Sequence, residues 1–100
     1  MIIYNVTVNV EDSIHDEWLA WMKAVHIPDM MNTGMFSEYR LCRVLSEDDT
    51  GSTYSFQYAC ESMEQYDRYI NEFAPALRDQ VKEKFGDKFI AFRTLLEVID

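Results

Sequence analysis

The hydrophobic period of this chain switches twice from alternate residues to helical spacing and back, and few folds accept that order. Ile2 to Val10 alternates, with Ile2, Tyr4, Val6, Val8 and Val10 on one side and Ile3, Asn5, Thr7 and Asn9 on the other. That is a half-buried strand. Glu11-Asp12-Ser13 turns the chain, and Ser13 with Asp16 predicts a helix N-cap. Ile14, Trp18, Trp21, Met22 and Val25 then recur at helical spacing. Pro28 has no backbone donor and disfavours helical geometry at Ile27, which predicts an end or a kink near His26. A further turn through Met30 to Asn32, closed by Gly34, fits the spacing.

Ser37 to Ser46 and Ser52 to Cys60 are strand-like and are joined by the polar loop Glu47-Asp48-Asp49-Thr50-Gly51. Ser62 and Gln65 make a capping box, after which Tyr66, Ile70, Phe73, Leu77, Val81 and Phe85 run at helical intervals to Gly86. Pro75 interrupts that run, so the helix either kinks or is built from two pieces meeting near Ala74. Lys88 to Ile99 is a last strand, with Ile90, Phe92, Leu96 and Val98 on one face and Phe89, Ala91, Arg93, Leu95 and Glu97 on the other.

The order βαββαβ, with right-handed crossovers, implies one α+β domain over residues 1–100. Its expected form is ferredoxin-like: a four-stranded antiparallel sheet with two helices on one face. The open face is expected to carry Asn5, Thr7, Asn9, Arg93, Glu97 and Leu95, with Arg40 or Arg43 and Gln57 or Tyr58 according to register. Such a mixed face suits burial against a second sheet, a homodimer closing into an α+β barrel, although a face open to water remains the alternative.

Charge narrows the partners. Nine basic residues against eighteen acidic give a net charge of -9 with no basic patch, which argues against nucleic acid and anionic lipid. No leader of signal type and no long apolar run is present, so neither a membrane span nor export is expected and the cytoplasm is the expected location. Cys42 and Cys60 fall on adjacent strands. A tight hairpin sets Cys42 near Phe56 and Cys60 near Glu38, too far out of register for a bridge.

The opening stretch to Met31, with W-x-x-W-M-K-x-V-H-I-P-D at Trp18 to Asp29, then MNTGMF and the closing KFIAFRTLLEV, resembles a family of short bacterial proteins known only as a domain of unknown function. The resemblance covers essentially the whole chain. That family is similar to the dimeric α+β barrel superfamily, which includes cofactor-independent monooxygenases, small isomerases and decyclases, haem-handling proteins and ligand sensors. The resemblance implies the fold and the dimer. It implies no activity, because one scaffold hosts many chemistries.

His26 and Asp29 are the candidate catalytic pair, since an imidazole moves protons near neutral pH and a neighbouring carboxylate fixes its tautomer. The competing reading is local: His26 bonds a helix-end carbonyl and Asp29 caps the next turn. Trp18, Met22, Met30, Met31, Met35 and Phe36 are candidate walls of an apolar pocket, with core packing the alternative for Trp18, Trp21 and Met22. Of the tyrosines at positions 39, 54, 58, 66 and 69, Tyr58 is the candidate to face the cleft. Arg93 beside Glu97 reads either as a carboxylate binder or as an ion pair. His15, in the solvent-facing first turn, and the scattered cysteines give no metal spacing; no metal or cofactor is expected, and a lone His26 does not establish a haem ligand. The expected function is to act on or bind a small apolar or aromatic metabolite near His26. The alternative is a non-catalytic sensor or a structural, protein-binding dimer.

Overall fold

The structure is a computed structural model and describes residues 1–45 and 50–100, so Ser46 to Asp49 of the expected hairpin loop lie outside the described residues. Four strands, β1 (Ile2–Val10), β2 (Glu38–Arg43), β3 (Ser52–Cys60) and β4 (Phe89–Glu97), form one sheet in the order β2-β3-β1-β4. Every pairing is antiparallel. This is the ferredoxin-like α+β arrangement expected from the order of periods.

The first crossover is one helical path built from α1 (His15–Trp21), a π-type segment (Met22–His26) and α2 (Ile27–Asn32). It does not stop at His26. A regular helix would drive the Pro28 ring into the carbonyl of Ala24, but the widened turn, in which the Ile27 N–H bonds the Met22 carbonyl, makes room for it. Gly34, at φ 77°, then releases the chain toward β2. The expected Ser13 cap is not formed: a short 3-10 turn covers Asp12–Ile14, and Ile14 occupies the cap position without a side-chain bond. The second crossover is two helices, α3 (Met63–Glu72) and α4 (Ala74–Phe85), with Phe73 between them and Pro75 in the first turn of α4. At the start of α3 the Ser62 side chain accepts from the Gln65 N–H, while the Gln65 side chain accepts from the Glu61 N–H.

Ile2, Tyr4, Val8 and Val10 of β1 and Tyr54, Phe56, Tyr58 and Cys60 of β3 are buried beneath the helices. Trp18, Met30 and Tyr69 come down on them. The register of β4 overturns one expectation. Val6 lies opposite Arg93 and Tyr4 opposite Leu95, so Arg93, Leu95 and Glu97 share the helix side of the sheet. The open face instead receives Ile90, Phe92, Thr94 and Leu96, opposite Asn9, Thr7, Asn5 and Ile3. Arg40 and Gln57, paired with each other, complete it. The hairpin register is one residue from that expected: Cys42 faces Ser55 and Glu38 faces Ala59. Both cysteines are free thiols and point to opposite faces.

Candidate functional site

Between the sheet and the helices, at the β1–β4 side, a cavity of about 70 Å³ remains. Its wall is drawn from six elements: Tyr4 and Val6 from β1, Met22 and His26 from the π segment, Met30 from α2, Tyr69 from α3, Arg78 and Val81 from α4, and Phe89 and Arg93 from β4. The widened turn that accommodates Pro28 is also the one that sets His26 toward this space. Trp21 stacks on the imidazole, with centroids 6.2 Å apart, and holds its plane.

The polar centre is the Tyr4 hydroxyl. It accepts from Arg93 Nε at 3.0 Å and from Arg78 Nη2 at 3.1 Å, so two guanidinium groups from different elements converge on one phenol oxygen. Neither arginine forms an ion pair among the described residues, and Arg93 is therefore not bound to Glu97. Arg78 Nε and His26 Nδ1 are buried with no hydrogen-bond partner among the described residues. Tyr69 donates to the Met30 sulfur at 3.1 Å.

Burial lowers the His26 pKa to about 4; Asp29 opposes that shift through its charge, and Arg93 adds to it. Burial thus favours the neutral imidazole at pH 7, with a lone pair that accepts a hydrogen bond and a basicity below that of a free histidine. Burial also pushes the Tyr58 and Tyr69 hydroxyls well above the usual phenol range, which keeps both as neutral donors. A neutral base, neutral phenols and two fixed cations are a chemically usable set: the imidazole can take a proton while the guanidinium groups stabilise negative charge on oxygen.

Of the residues singled out from sequence, His26, Met22 and Met30 meet at this cavity. Asp29 acts on His26 through its charge and lines a separate shallow hollow with Asn32, Thr33, Glu72, Phe73, Ala76 and Leu77. Trp18 lies at the other end of the helical path, against Tyr54 and Phe56. Phe36 packs among Tyr4, Tyr58 and Tyr69. Tyr58 is buried beside them, and its hydroxyl has no partner among the described residues. Met31 and Met35 pack on the edge of the core rather than in the cavity wall. Sequence reasoning missed Tyr4, Arg78 and the inward position of Arg93. Tyr4 reads as one more inward residue of a strand, and Arg78 lies on a helix with no motif to single it out; the one signal was a tyrosine in an otherwise aliphatic inward row.

His15 is also placed differently from expectation. It is tied to Asp16 by Nδ1 at 2.8 Å and to the Tyr54 hydroxyl by Nε2 at 2.6 Å, and it stacks on the Tyr54 ring. No three His, Cys, Asp or Glu side chains among the described residues converge as a metal site. No helix of the described residues is long and apolar enough to cross a membrane.

The sequence matches the family model described as Domain of unknown function (DUF4286) over residues 1–99. The chain belongs to that family. No curated protein matches it. Among solved structures, an ethyl tert-butyl ether d (ethd) family protein from Bacillus halodurans superposes with a TM-score of 0.70 at 10% identity, over 99% of this chain and 100% of the other. A putative antibiotic biosynthesis monooxygenase from Nitrosomonas europaea gives 0.68 at 8% identity, over 100% of each chain. A mutant of MhuD with two manganese protoporphyrin IX bound per active site gives 0.70 at 18% identity, over 99% of this chain and 95% of the other. At such identities the likeness establishes the fold alone. The cavity, at about 70 Å³, does not fit a porphyrin, since drug-sized ligands already occupy pockets of roughly 300 Å³ or more.

Proposed function

We propose that this protein binds and chemically transforms a small organic metabolite in the His26 cavity. One observation carries the reading: a partly buried imidazole shares a partly open cavity with the paired arginines and Tyr4, and that wall contains no carboxylate. A filled core rarely keeps a buried guanidinium nitrogen such as Arg78 Nε and a buried imidazole nitrogen such as His26 Nδ1 both without a partner. In this reading His26 accepts a proton from a substrate hydroxyl or from a carbon next to a carbonyl, and Arg78 and Arg93 stabilise the negative charge that is left on, or delocalised onto, oxygen. Asp29 favours the imidazolium that forms. Met22 and Met30 supply adaptable apolar contact for the rest of the molecule. The cavity suits a small substrate or the reacting end of a larger one. A non-catalytic sensor using the same wall is the second reading, supported by the low basicity of the free imidazole.

The working form is proposed to be a homodimer that closes a barrel through the open sheet face. Ile90 and Phe92 are 71% and 60% exposed there, and Leu96 beside Ile3 extends the apolar surface. Light scattering on the purified protein is expected to give twice the chain mass and Phe92→Glu the monomer mass; a monomeric wild type contradicts the dimer. For the site, native mass spectrometry of protein purified gently from its host is expected to reveal a small-molecule mass that His26→Ala loses. Bare protein from both, together with no binding from a host metabolite extract, contradicts the site.

A further inference from the structure

The chain carries twice as many acidic as basic residues, yet the two arginines at the cavity have no carboxylate partner among the described residues. Each guanidinium has five N–H groups, and the hydrogen bond to Tyr4 uses one from each. Arg78 Nε is buried and unpaired. Two cations brought to one phenol oxygen repel each other, so the pair is poised for negative charge rather than satisfied by the phenol. His26 does not supply that charge, and Asp29 faces another hollow.

We propose, resting on the reading of the cavity as a ligand site, that the ligand is a small organic carboxylate seated between the Arg78 and Arg93 guanidinium groups beside the Tyr4 hydroxyl. A carboxylate is planar and offers two oxygens, which matches the donor geometry of guanidinium groups and can engage Arg78 Nε. The remaining wall, Met22, Met30 and Val81, receives a short alkyl or flat carbon skeleton. Arg93 is exposed and Arg78 half-buried, so the charged head has solvent access along the β4 edge of the sheet.

The test compares propionate with its neutral near-isostere propionamide, in buffer free of other carboxylates, by following the methyl NMR signals of Met22 and Met30 in the intact protein. Propionate is expected to shift both signals saturably and propionamide to bind at least about tenfold more weakly, as for loss of a charge-assisted hydrogen bond. Arg78→Gln and Arg93→Gln are each expected to weaken propionate by about tenfold and propionamide by less, so that the preference for the anion narrows, with Arg93→Lys falling between. Equal binding of the two probes to the wild type overturns the carboxylate assignment and leaves the cavity as a ligand site. Failure of both probes to move either methyl signal overturns the assignment and the ligand-site reading together. The wild-type comparison does not depend on any variant folding.

Discussion

The two histidines stand on one helical path, His15 at its start and His26 at the close of the π-type segment before α2, and their surroundings differ. At the His15 end both ring nitrogens are engaged, one by Asp16 and one by Tyr54, and the neighbouring space is filled by Trp18, Tyr54 and Phe56. At the His26 end one ring nitrogen is buried without a partner, and a cavity lies beside it. A satisfied imidazole in a filled layer is explained by packing. An imidazole nitrogen buried without a partner leaves a cost that packing does not offset, and under the proposed reading a ligand offsets it. The same sheet and crossover thus hold one end whose histidine is fully bonded and one end whose histidine borders a cavity.

The sharpest way to break this contrast is to empty the filled end. Trp18→Ala removes a fully buried indole and is expected to cost about 3 to 5 kcal/mol in chemical denaturation, the largest loss of any change considered. A cost under about 1 kcal/mol would mean that the filled end is no better packed than the cavity. Acid sharpens the other end. The His26 pKa is lowered on folding, so its contribution to stability is fully present above the unfolded value near 6.5 and is lost as pH falls toward about 4. The wild type minus His26→Gln difference is expected to change by up to about 3 kcal/mol across that window in denaturation at matched pH values. A difference that stays flat contradicts a buried neutral imidazole.

Smaller effects separate the ends further. His15→Ala is expected to cost about 1 to 2 kcal/mol, and Tyr54→Phe is expected to abolish most of that increment in a double-mutant cycle, because the two share one hydrogen bond. Independent costs would show that the His15 contact carries no stability. Met30→Leu keeps the volume and loses only the sulfur acceptor for Tyr69, so thermal denaturation is expected to change by less than about 1.5 kcal/mol.

Much of the fold was legible, because Ile2 to Val10 and the Ser62 start of α3 each carry a local signal that tertiary structure does not override. The inward face of β4 was not. Phe89 and Ala91 alternate with Ile90 and Phe92, so both faces read as apolar, and only the pairing of Val6 with Arg93 tells which turns inward. Pro28 was legible as a disturbance of the helix, but the widened turn that absorbs it has no distinct residue pattern. His26 was visible as a reactive residue type near a break in periodicity. Its partners were not, since Tyr4, Arg78 and Arg93 are far apart in sequence and meet only after both crossovers pack on the sheet.

The most direct measurement is a pH titration of the His26 imidazole nitrogens by NMR, with and without a metabolite extract of the host. A neutral ring down to a midpoint near 4, with signals displaced by the extract at pH 7 while those of His15 stay in place, is the expected result. A His26 midpoint near the ordinary value of about 6.5, with signals that the extract leaves unmoved, would contradict the cavity as the working end of the molecule.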